Sequence, residues 1–260
     1  MKSFFSSCLL RHRKTAFTAL ALATMTSLAH ASSIVVTNGS FENLLEPGVS
    51  SEFGGLFPSQ QVIGWTTSGY NYVFTPGTAD SSGAVGQFST EQLWGPGDGS
   101  DNGLPATSPD GGNYLALDGA FNVGAISQMI TGLTPGAAVD VTFYFAGAQQ
   151  QGFTGLNTEQ LEVSLGAANQ FTPVVNNASH GFTGWEQYTF TYTPTSSSEL
   201  LSFLAIGTPS GQPPMSLLDG ISVTPESIPS VPEPGSLALL MTGFAGIGGM
   251  VRMRLTKAGV

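Results

Sequence analysis

The residues in this chain whose types and spacing could do chemistry are mostly oxygen-bearing or aromatic. Asp98-Gly99-Ser100-Asp101-Asn102-Gly103 offers oxygens at the first, third and fifth positions with glycine at the sixth, as a calcium loop begins. The frame then fails, because Pro109 stands where the closing acid belongs and Asp110 follows one residue later. Asp98, Ser100 and Asn102 are therefore candidate calcium ligands, and the plainer alternative is a Gly/Asp-rich surface loop. Aromatic rings are the second candidate set, since sugar faces stack on exposed rings while nearby Asp, Asn and Gln bond the hydroxyls. Trp94, between Leu93 and Gly95-Pro96-Gly97, is hard to bury, and Tyr70, Tyr72 and Phe153 lie in or beside loops. Trp65 and Trp185 adjoin strands and are expected in the core.

Other chemistries lack their residues. A Ser-His-Asp arrangement would have to use His180, in the loop Ser179-His180-Gly181, and no G-x-S-x-G elbow exists. Zinc has one histidine and no cysteine available in the body between the chain's processed ends. Glycoside hydrolysis needs two facing carboxylates. Glu159 and Glu162 are a poor pair, because three residues apart on one strand they face opposite ways. Thr189, Thr191, Thr193 and Thr195 form one threonine ladder, whereas a flat ice-binding surface needs several in register; one ladder is a strand with a polar face.

These residues must be positioned by strands. Val139, Val141, Phe143 and Phe145 alternate with Asp140, Thr142, Tyr144 and Ala146, and Leu161 to Leu165 repeats the pattern. Further strands are expected at Ile34 to Thr37, Val62 to Trp65, Tyr70 to Phe74, Val85 to Phe88, Asn113 to Leu117 and Ala125 to Ile130. Phe171 to Val175, Trp185 to Tyr192, Leu200 to Ile206 and Ser216 to Val223 complete the set. No segment before the last thirty residues has a sustained helical period. Short strands separated by turn signals predict an all-β fold, a β-sandwich of jelly-roll type. Gly95 to Asp110 is nearly all turn-forming, and so long a loop is functional or disordered.

Charge is distributed unusually. All seven Lys and Arg lie at the two ends, four before residue 15 and three after residue 251, while the 17 Asp and Glu lie between Glu42 and Glu233. The body has nothing to neutralise phosphates, which excludes nucleic acid as a partner. Its carboxylates must be solvated, hydrogen-bonded or bound to a metal.

Both ends read as processing segments. Lys2, Arg11, Arg13 and Lys14 precede the apolar stretch Ala16 to Leu28 and the cleavage site Ala29-His30-Ala31, a signal peptide over residues 1–31 for signal peptidase. The only cysteine, Cys8, leaves with it. The sandwich domain is expected over 32–223, a linker over 224–230 and a tail over 231–260. The tail reads Val231-Pro232-Glu233-Pro234-Gly235, then an apolar run, then Arg252, Arg254 and Lys257. Residues 236–251 span roughly 24 Å as a helix, a little short of the ~30 Å hydrocarbon core, enough for transient membrane anchoring with the cations cytoplasmic. This tail resembles the PEP-CTERM sorting signal. The resemblance implies an exosortase that recognises and removes it, leaving the protein at the cell surface or outside; an ordinary C-terminal anchor is the alternative.

The body has a resemblance of its own. Asn38-Gly39-Ser40-Phe41-Glu42, then Gly64-Trp65, then Leu218-Asp219-Gly220-Ile221-Ser222-Val223 on the last strand is similar to the galactose-binding-like jelly rolls of carbohydrate-binding modules. In that family the first turn and the last-strand Asp often hold a structural calcium. The matching positions are Glu42 and Asp219, although Gly220 stands where a second acid is usual. The resemblance implies a non-enzymatic surface or extracellular-matrix protein that binds or packs among extracellular polysaccharide. A polysaccharide hydrolase on the same scaffold and a structural protein with no ligand are the alternatives.

Overall fold

The computed structural model describes residues 33–53 and 61–226. The expected signal peptide, the end of the expected linker, the sorting tail and the expected anchor at 236–251 lie outside the described residues. Among the described residues no helix is long and apolar enough to cross a membrane.

Short strands come first: β1 (Ser51–Phe53), β2 (Thr66–Thr67), β3 (Asn71–Phe74), β4 (Ala84–Val85) and β5 (Thr90–Glu91). Longer ones follow: β6 (Tyr114–Asp118), β7 (Ile126–Thr131), β8 (Val139–Gln149), β9 (Asn157–Leu165), β10 (Ala168–Phe171), β11 (Val175–Asn177), β12 (Glu186–Tyr192), β13 (Ser198–Thr208) and β14 (Pro214–Pro225). Among the described residues they form two sheets. The larger has the order β12-β8-β14-β6-β3-β1-β4-β5; the smaller runs β10-β9-β13-β7-β2, with β11 also on β9. From β6 to β9, and again from β12 to β14, each strand lies in the sheet opposite its predecessor. That winding is the expected sandwich of jelly-roll type.

Alternation in the sequence explains the packing. On β8 the side chains of Val141, Phe143 and Phe145 turn inward, against Leu161 and Val163 of β9 and Leu201 and Phe203 of β13. Burying each such side chain contributes about 1.5–3 kcal/mol, so this layer supplies most of the driving force. A second apolar layer lies on the opposite face of the larger sheet. There Tyr72, Phe74, Tyr114 and Ala148 are covered by Ala79, Leu93 and Leu104 from the long connection between β3 and β6. The loop at 95–110, expected to be functional or disordered, is thus a packed cover anchored by Leu104.

Four strand expectations change; at 85–88 only Val85 is in a strand, β4, and 86–88 belong to the connection to β5. Val35 makes only an isolated bridge to Thr131, because the amide of Gln128 takes the backbone N–H and C=O of Thr37 instead. At 62–65 there is likewise only a bridge, Val62 to Leu44. The stretch 171–175 splits into the end of β10 and the start of β11, since Pro173 between them has no N–H for a ladder.

The last strand carries the feature that matters most for the sites. Its pairing with β8 shifts register between Asp219 and Ser222, with Gly220 at φ 62°. The first turn docks on this bulge: the Ile221 N–H donates to the Gly39 carbonyl at 3.0 Å. A Cβ on Gly39 would lie 2.1 Å from the Ile221 carbonyl oxygen, so only glycine permits the approach.

Candidate binding cleft and carboxyl cluster

At the edge of the covering layer the sheet is left open as a cleft of about 370 Å³. Its walls are aromatic. Tyr70, Phe88 and Phe121 meet pairwise with ring centroids 5.7, 6.1 and 6.4 Å apart. Phe88 and Phe121 are 68% and 66% exposed, an apolar surface that a folded chain rarely leaves open without use. Two carboxyl groups, Glu91 and Asp118, each 2% exposed, line the same cleft.

The fold holds these two acids in different ways. Asp118 ends β6, and its carboxylate accepts the N–H groups of Ala120 and Phe121 on Oδ1 and of Asn122 on Oδ2, at 2.7–3.0 Å. This tight turn aims Phe121 over the cleft. Glu91 comes from β5, the edge of the larger sheet, and its Oε1 is buried with no hydrogen-bond partner. Burial, and then the Asp118 charge, push the Glu91 carboxyl up to about 8. The cleft therefore presents one carboxyl that burial favours in its protonated form, Glu91, beside one held by three backbone donors, Asp118.

Of the aromatic residues expected at a ligand, Tyr70 lines this cleft. Tyr72 does not: it is fully buried, one strand step further under the covering layer, with its ring 4.8 Å from that of Tyr70. Trp94 is half-buried, and one of its faces is taken by His180, stacked at 3.9 Å. Its indole N–H donates to the Phe153 carbonyl at 2.8 Å, so it braces the cleft wall that Phe153 forms. Trp65 is in the core as expected, and Trp185 packs against the covering layer.

The expected calcium loop is occupied by structural bonds. Asp98 accepts the Gly95 N–H, while the Ser100 hydroxyl and the Asn102 amide both donate to the His180 carbonyl. These bonds fasten the covering loop to the β11–β12 connection. Among the described residues no three His, Cys, Asp or Glu side chains gather as a metal-ligand set.

Glu42 and Asp219 are brought to one neighbourhood by the docking of the first turn on the β14 bulge. Asp219 is fully buried, accepts the Ser108 hydroxyl on Oδ2, and has no hydrogen bond of normal geometry on Oδ1. Burial pushes it up to about 8; Ser108 and the Gly220 amide oppose this, and the Asp110 and Glu42 charges add to it. Glu42 is exposed and accepts the Asn113 N–H at 2.6 Å. Asp219 is thus a buried, half-partnered carboxyl that feels the Asp110 and Glu42 charges, in a body without Lys or Arg. Asp110 is the member of this group that the sequence alone did not suggest.

Residues 230–254 match the PEP-CTERM protein-sorting motif. No curated protein sequence matches the chain. Among solved structures, TmCBM61 in complex with β-1,4-galactotriose is similar at 14% identity, covering 74% of this chain and 97% of that one, with a TM-score of 0.38. The CBM22-1 xylan-binding domain of Xyn10C from Paenibacillus barcinonensis is similar at 14% identity, with 70% and 95% covered and a TM-score of 0.31. A CBM4 structure is similar at 17% identity, with 74% and 100% covered and a TM-score of 0.32.

Proposed function

We propose that this is an exported surface or matrix protein whose sandwich holds a glycan in the cleft beside Glu91 and Asp118, without catalysis. The observation that carries the reading is the pairing of open aromatic walls with buried polar groups in one cleft. Apolar faces of a sugar ring stack on Phe88 and Phe121, and its hydroxyls meet Glu91 and the half-buried Gln150. The sorting motif supports export to the cell surface or extracellular space. In this reading signal peptidase removes 1–31, the tail anchors transiently through 236–251, and an exosortase cleaves it near Pro232-Glu233-Pro234. Calcium held by Glu42 and Asp219 would be structural, pinning the first turn to the last strand.

One observation favours a hydrolase as second reading: two carboxyl groups line one cleft, one of them raised by burial, and glycoside cleavage uses a pair of carboxyl groups in different environments. Asp118 argues against it. Three backbone N–H groups hold its oxygens and give it a structural task, closing the turn after β6. A glycan array probed with the exported protein, with and without calcium, tests the binding reading. Retention of one glycan class without turnover is expected. Turnover of any polysaccharide that is abolished by Glu91→Gln would replace binding with catalysis.

A further inference from the structure

We propose that the cleft selects glycans carrying a protonated amine, such as deacetylated amino sugars, over neutral or anionic ones. The inference rests on the glycan-binding reading of this cleft and adds the charge of its ligand. Glu91 is 2% exposed, lines the cleft, and has one buried oxygen, Oε1, with no hydrogen-bond partner. A buried carboxyl in that position needs a proton, a donor or a cation. The protein supplies no cation of its own, because residues 15–251 contain neither Lys nor Arg. The other titratable groups around Glu91 are Asp118, Tyr70 and Tyr72, with Glu52 beyond them, and none of these carries positive charge. While the cleft is empty, a proton satisfies Glu91; an ammonium group replaces that proton with a charge-assisted hydrogen bond, which is stronger than a neutral one.

The aromatic walls point to the same ligand. Ring faces attract cations, and Tyr70, Phe88 and Phe121 stand together at the mouth of the cleft. A neutral sugar would use their apolar surface alone, whereas an amino sugar uses both their surface and their quadrupole. A uronic or sulfated sugar would bring its negative charge against Asp118 and against the negative faces of the rings.

Calorimetric titration of the exported protein at physiological salt separates these ligands, using β-1,4-linked glucosamine trimer, its N-acetylated form and a neutral glucose trimer. The glucosamine trimer should bind at least about tenfold more tightly than either neutral trimer, the effect of about one charge-assisted bond. Glu91→Gln should erase that preference while leaving the thermal transition cooperative. Asp101→Asn, an exposed acid on the covering loop, should leave it unchanged and so excludes attraction to net charge. Equal binding of all three trimers overturns the inference and leaves the glycan reading standing. Binding of none of them overturns the inference and counts against the glycan reading too. A preference that survives Glu91→Gln, or that falls equally with Asp101→Asn, overturns it as well.

Discussion

Glu159 shows at one residue what the whole body does with its acids. It points inward from β9 over the bare Cα of Gly147, where an added Cβ would meet Oε2 at 2.6 Å. Both its oxygens lack a hydrogen bond of normal geometry, and burial pushes the carboxyl up to about 8, with the nearby Asn177 amide offsetting part of that. Between the unfolded value of 4.5 and about 8 the folded protein holds a proton that the unfolded chain has lost. Stability from this residue is therefore fully present below 4.5 and falls as pH rises to about 8. Glu159→Gln removes that dependence and should stabilise the fold by on the order of 2 kcal/mol at pH 7, read as a higher melting temperature. Gly147→Ala should destabilise it by about 1–3 kcal/mol at any pH, because the methyl group crowds the carboxyl.

At the scale of elements, the first turn and the last strand form a unit. Gly39 permits the close approach, the bulge at Gly220 buries Asp219, and Asn113 receives Glu42 through its backbone N–H. Millimolar calcium should raise the melting temperature by several degrees beyond magnesium at matched ionic strength, as expected for a ligand that binds only the native state. Glu42→Gln and Asp219→Asn should each remove most of that increment, and Asp98→Asn should leave it intact. An increment that survives both substitutions would place the ion elsewhere. The sandwich was legible because β8, β9, β12 and β13 alternate cleanly, so period alone locates their inward faces. The cleft was not. Glu91 lies on a two-residue strand with no period to give its direction, and Phe88 and Phe121 reach it from separate connections. Asp118 did carry a signal: an Asp closing a strand before Gly119 is a turn former whose side chain caps the following amides. Tyr72 was misplaced because a strand beside a loop looks open until the covering layer is known.

For the whole molecule, a body without Lys or Arg has made hydrogen bonds, protons and proposed cations do the work of ion pairs. Glu91, Glu159 and Asp219 are each pushed up to about 8 by burial, and Glu52 is raised for the same reason. Glu199, bonded by Thr195 and Ser196, is lowered and works the other way below the carboxylate range. The sum has a definite sign: the protein should melt at a higher temperature at pH 5 than at pH 8.5, with calcium narrowing the gap. Intact-mass measurement of surface-extracted protein should place the C-terminus near Pro234 rather than Val260, and recovery of the full tail from cells with an active exosortase would contradict its removal. Whether the aromatic cleft holds a glycan is decided by the affinity of the best array glycan for wild type, Phe121→Ala and Phe88→Ala at constant calcium. Both side chains are largely exposed, so the substitutions should leave the fold intact, and each should weaken binding by about tenfold or more through lost stacking. Undiminished affinity in both variants would place the glycan site elsewhere on the molecule and rule out the cleft.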